Sequence, residues 1–88
     1  MKYSVEYTPQ AVKSLRKLDQ HTRHLILAWI EKNLVSCREP RQHEKGLSAN
    51  RSGQWRYRVG DYRILAEIMD DKIVILVLNI GHRSNIYE

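Results

Sequence analysis

From Gln54 to Arg63 the chain reads Gln-Trp-Arg-Tyr-Arg-Val-Gly-Asp-Tyr-Arg, an alternation that admits little besides a two-faced β-hairpin. Successive side chains of a strand leave opposite faces, so Arg56 and Arg58 share one side while Trp55, Tyr57 and Val59 share the other. Gly60-Asp61 supplies the turn, and a second strand opens with Tyr62 and Arg63. The pattern places the guanidiniums of Arg56, Arg58 and Arg63 on one face. Together they form a planar, permanently charged set of donors suited to phosphate. Trp55 and Tyr57 point the other way and are expected in the core.

The rest of the chain supplies what such a hairpin needs beneath it. Tyr3, Val5 and Tyr7 alternate with Ser4 and Glu6 as a first strand. Thr8-Pro9 is an N-cap followed by proline at the first helical position. Val12, Leu15 and Leu18 give that helix an apolar stripe, with Lys13, Arg16 and Lys17 outside. Asp19 caps a second helix whose stripe is Ile26, Trp29, Ile30 and Leu34, widened by Leu25 and Ala28. Between Ser36 and Gly53 the pattern dissolves into a connecting loop, within which Lys45-Gly46-Leu47 is a candidate ordered piece. Strands are predicted over 54–59, 62–69 and 72–80, with Asp70-Asp71 turning between the last two. The last strand is apolar almost throughout and is expected to be central.

The order β-α-α-β-β-β therefore predicts one α+β domain over residues 1–88. An N-terminal strand, an antiparallel two-helix hairpin and a three-stranded antiparallel meander form one twisted sheet, with the helices on one face. The other face is open and carries the arginines. Leu65, Ile75 and Val77 are expected on that open side, where a partner or a C-terminal segment would cover them.

At 88 residues there is room for a single modest core, and the excess of 15 Lys+Arg over 10 Asp+Glu favours a polyanionic partner. The excess gathers at Arg41, Lys45, Arg51, Arg56, Arg58 and Arg63. Cys37, the only cysteine, can form no intrachain disulfide; the first residues, Met1 to Tyr7, lack the apolar run expected of a signal peptide, and the longest apolar run, Ile73 to Leu78, is too short to span a membrane. A soluble, cytoplasmic protein is expected. No His/Cys spacing resembles a metal site, and Asp70-Asp71 reads as a turn. His21, His24 and His43 carry no expected role, and Trp29 is assigned to the core.

Lys45-Gly46-Leu47, the Trp55–Arg63 hairpin and the closing Gly81-His82-Arg83-Ser84-Asn85-Ile86-Tyr87 resemble, over the whole chain, the RelE/ParE superfamily of bacterial toxins. The resemblance implies a toxin of a type II toxin-antitoxin system, wrapped and neutralised by an antitoxin. Its RelE branch cleaves mRNA in the ribosomal A site, and its ParE branch poisons DNA gyrase. Arg83 and Tyr87, joined to the sheet arginines, resemble the ribonuclease branch. The sheet positions are arginine where RelE itself has lysine, and the Arg83–Tyr87 spacing is shorter than in RelE.

The same resemblance implies a metal-independent endoribonuclease without a cofactor, leaving a 2′,3′-cyclic phosphate. Its catalytic set would be Arg63, Arg83, Tyr87 and His82, and its substrate-binding set Lys45, Arg56 and Arg58. Tyr87 is the implied base, and Arg83 the acid or a phosphate ligand. His82 is a rival base, because an ordinary imidazole titrates near neutrality. Lys45 reaches the phosphate backbone or is simply loop charge. The implied partners are a cognate antitoxin and mRNA on the ribosome, with operator DNA contacted through the antitoxin and no membrane. The alternatives are a gyrase-poisoning toxin and a non-catalytic toxin-like binding module.

Overall fold

The structure, a computed structural model, describes residues 2–40 and 54–82. Lys45, Arg83 and Tyr87 lie outside the described residues. The elements run β1 (Ser4–Tyr7), α1 (Pro9–Lys17), α2 (Gln20–Asn33), β2 (Gln54–Val59), β3 (Tyr62–Met69) and β4 (Val74–His82). They form one four-stranded sheet in the order β1-β4-β3-β2. The β2-β3-β4 meander is antiparallel, and β1 adds to β4 in parallel, a pairing that the long stretch of chain between them permits. β4 is central, in line with its apolar sequence.

Both helix starts follow from their caps. The Thr8 hydroxyl accepts from the Ala11 amide at 3.1 Å, with Pro9 next in line. An Asp19 carboxylate oxygen accepts from the Thr22 amide at 3.1 Å, and the Thr22 hydroxyl donates to the other at 2.6 Å. Those bonds hold the Asp19 carboxyl below the usual carboxylate range. The Arg23 guanidinium donates to the Leu15 and Leu18 carbonyls, which satisfies the open end of α1 and ties the helices together.

The core lies between the helices and one sheet face. Ala11 and Leu15 from α1, Ile26 and Ile30 from α2, and Leu34 just after it meet Tyr57, Ile64, Ala66, Ile75, Val77 and Ile80. Leu25 and Leu27 face outward at 51% and 38% exposure, and Ala28 is exposed too, so the α2 stripe is narrower than its composition suggests. Val12 is also exposed, and Ala11 takes the inward position on α1.

Two expectations about β4 are corrected. The β3–β4 connection takes residues 70–73 rather than a two-residue turn, and Ile73 adopts a positive φ of 56°. Ile75 and Val77 are fully buried beneath the helices and not on the open face. A bulge is the cause. Leu65 pairs with Asn79 and Ala66 with Val77, so Leu78 is an extra residue and the in–out parity of β4 changes there. Leu76 and Leu78 are left half-buried. The bulge also anchors α1, since the Thr8 hydroxyl donates to the Leu78 carbonyl at 3.0 Å and the Ser14 hydroxyl to Asn79 Oδ1 at 2.6 Å.

Candidate functional site

The β2–β3 register brings two of the predicted arginines directly opposite each other. Arg58 pairs with Arg63, and Arg56 pairs with Leu65, one diagonal step from Arg63. Adjacent strands lie about 4.8 Å apart, so the three side chains rise from one small patch. Like charges directly opposite on a sheet are destabilising. Arg58 is exposed and Arg56 and Arg63 are half-buried. The Nε of Arg63 is buried with no hydrogen-bond partner among the described residues, so its donor capacity is unspent. An anion over the patch relieves the repulsion.

The alternating residues make this patch rigid. Between Arg56 and Arg58, Tyr57 is wholly buried, its ring centroid 5.7 Å from that of Trp29 and its hydroxyl donating to the Pro40 carbonyl at 2.7 Å. Trp55 and Val59 pack against the same core. The turn closes tightly, with Val59 opposite Tyr62 and Gly60 at φ 62°, the conformation that glycine at the first central position of a two-residue loop supplies. The strand can neither twist nor slide without opening the core.

His82 stands apart from the arginines. It pairs with Tyr62, and the two rings meet edge to face with centroids 5.5 Å apart. Tyr62 packs toward the helix-covered core, so this ring contact lies on the opposite side from Arg58 and Arg63. Grouping His82 with the arginines is thus not what the sheet does, because the residue opposite Arg63 on β4 is Gly81. β4 nevertheless ends at the arginine end of the sheet, and Arg83 comes directly after His82 in the sequence.

Cys37 is half-buried, and burial pushes its thiol up from the usual value, the opposite of an activated nucleophile. Among the described residues no group of three or more His, Cys, Asp or Glu is placed to hold a metal, and no helix is long and apolar enough to cross a membrane.

Residues 5–87 match the family model for the ParE toxin of the type II toxin-antitoxin system parDE. The chain belongs to the RelE/ParE superfamily of type II toxins. It is 31% identical to Toxin RelG of Mycobacterium tuberculosis over 87 residues, covering 99% of this chain and 98% of that one. The RelBE2 toxin-antitoxin complex of Mycobacterium tuberculosis shares its fold with a TM-score of 0.79 at 27% identity, covering 97% of this chain and 95% of that one. The intact RelBE toxin-antitoxin complex of E. coli matches at 22% identity with a TM-score of 0.67, over 91% of this chain and 95% of that one, and so speaks to the fold alone. The family model carries the ParE name and these relatives carry RelE-type names. Membership of the superfamily therefore establishes a type II toxin and its fold, and the choice of target rests on the site.

Proposed function

We propose that this toxin is an endoribonuclease that cleaves mRNA in the ribosomal A site and that a cognate antitoxin neutralises it in the cytoplasm. The observation that carries the reading is the direct opposition of Arg58 and Arg63 with Arg56 on the diagonal, a like-charge cluster that a bound polyanion resolves. The complexes in which the relatives were solved support an antitoxin as partner. In this reading operator DNA is contacted through that antitoxin.

In this reading the 2′-hydroxyl attacks the adjacent phosphorus. Its proton passes to Tyr87, the bond to the 5′-oxygen breaks, and that oxygen takes a proton from Arg83 or from water held by it. The products are a 2′,3′-cyclic phosphate and a 5′-hydroxyl, and no metal takes part. Arg56, Arg58 and Arg63 stabilise the charge that builds on the phosphoryl oxygens, and fixed donors of this kind contribute most where they need not reorganise. An ordinary phenol, with a pKa of about 10, is a weak base at neutral pH, but neighbouring guanidiniums favour its phenolate. Lys45 is assigned to the phosphate backbone. His82, edge-on to Tyr62 across the sheet from the arginines, is the weaker candidate for the base.

The family model's ParE name keeps one other reading in view, a toxin directed at gyrase. Pulse labelling after induction separates the two. Cleavage of mRNA makes methionine incorporation collapse before thymidine incorporation, and the reverse order would transfer the assignment to gyrase. On ribosome-bound mRNA, cleavage should withstand EDTA at concentrations that leave the ribosome intact. Tyr87→Phe, which retains the ring, should remove most of it, and His82→Gln should remove less.

A further inference from the structure

The open face of the sheet is polarised from end to end. At the hairpin-turn end stand Arg56, Arg58 and Arg63, with Asp61 the nearby acid. Further down β3, Glu67 pairs with Gln54 on one side and with Leu76 on the other, and Leu76 pairs in turn with Glu6 on β1. Glu6, Leu76, Glu67 and Gln54 thus form one row across all four strands. Asp70 and Asp71 come next in the turn beyond it, with Lys72 beside them. Leu65 lies between Arg63 and the acidic row, level with Arg56, which is one diagonal step from Glu67; Met69 and Val74 lie past the row, and all three apolar residues are half-buried. Glu67 lies four residue steps along β3 from Arg63, about 13 Å.

A single RNA strand does not suit that whole surface. Its charge is uniformly negative, so the arginine end attracts it and the row of Glu6 and Glu67 repels it. A peptide can match both ends. We propose that the acidic row is the anchor for a lysine or arginine of the antitoxin, whose bound segment carries acidic groups over Arg56, Arg58 and Arg63, apolar groups over Leu65 and Leu76, and the cation over Glu67 and Glu6. Charge complementarity of this kind fixes orientation and speeds encounter. RNA and antitoxin then overlap only at the arginines, and the acidic row belongs to the antitoxin alone. The inference rests on the antitoxin partner put forward above and not on the nuclease reading.

The test uses the purified toxin with its cognate antitoxin, and affinity is measured without RNA or ribosomes. Glu67→Lys should weaken the complex at least tenfold and flatten its salt dependence, and toxin carrying it should escape neutralisation in cells. Glu6→Lys, at an exposed edge-strand position, should act in the same direction and keeps the test decisive if Glu67→Lys fails to fold. Replacing the facing antitoxin cation by glutamate should restore affinity to the toxin variant. Unchanged affinity in both folded variants overturns the proposal. So does unchanged affinity accompanied by an altered base preference of cleavage in Glu67→Gln, which would make Glu67 a reader of RNA. If the toxin proves to act on gyrase, the nuclease reading falls while the affinity loss still stands.

Discussion

Arg63 has a cost to the fold that its neighbours make visible. It faces Arg58 across the ladder and carries a buried Nε without a partner among the described residues. Removing the charge should therefore relieve the sheet while disabling the chemistry. Arg63→Ala is expected to keep or slightly raise the thermal midpoint and to lower mRNA cleavage about a hundredfold or more. A variant that melts early would make Arg63 structural instead. Tyr57 is the opposite kind of residue. Tyr57→Phe strips one buried hydrogen bond to the Pro40 carbonyl and should cost about 1–2 kcal/mol in urea unfolding, without touching the open face. The facing of these two residues was legible in the alternation alone, because tryptophan, tyrosine and valine cannot share a solvated side with three arginines. His82 was not legible in that way. Its face depends on how β4 pairs beyond the bulge, and the sequence motif that contains it says nothing of register.

At the level of elements, the caps could be read from the sequence and the irregularities could not. Thr8 and Asp19 carry side chains with one use at that position, and both cap as expected. The bulge at Leu78 lies in an apolar run where every residue is equally fit for either face, so nothing in Val74–Leu78 marks the change of parity that buries Ile75 and Val77. Composition likewise widened the α2 stripe to Leu25 and Ala28, whereas packing took only the narrower face. The turn after α2 gives a test of backbone strain. Ser36 sits at φ 65°, where its amide donates to the Tyr3 carbonyl and the next residue's carbonyl accepts from the Tyr3 amide. Ser36→Gly should raise stability by about 0.5–1 kcal/mol net, the relief of left-handed strain less the added freedom of the unfolded chain. The α2 cap gives a test in pH. The folded state lowers the Asp19 pKa, so its ionised cap stabilises above the unfolded value, and that contribution is lost as pH falls through the folded one. The difference in urea midpoint between wild type and Asp19→Asn should shrink on acidification, and a gap independent of pH would contradict the assignment.

At the scale of the whole molecule, the described residues put the hydrophobic core on one sheet face and the three arginines on the other. The helices, β1 and the bulge hold β4; β4 and β3 hold the hairpin; the hairpin holds three arginines in a fixed array. Superfamily membership agrees with this architecture and leaves the target to the array. The decisive measurement is therefore mapping of 5′ ends on ribosome-bound mRNA after induction of wild-type toxin and of Arg63→Ala, with plasmid topology monitored in the same cells. The account predicts new 5′-hydroxyl ends inside A-site codons with wild type, their loss with Arg63→Ala, and unchanged supercoiling in both. Intact mRNA together with cleaved or relaxed plasmid DNA would contradict it.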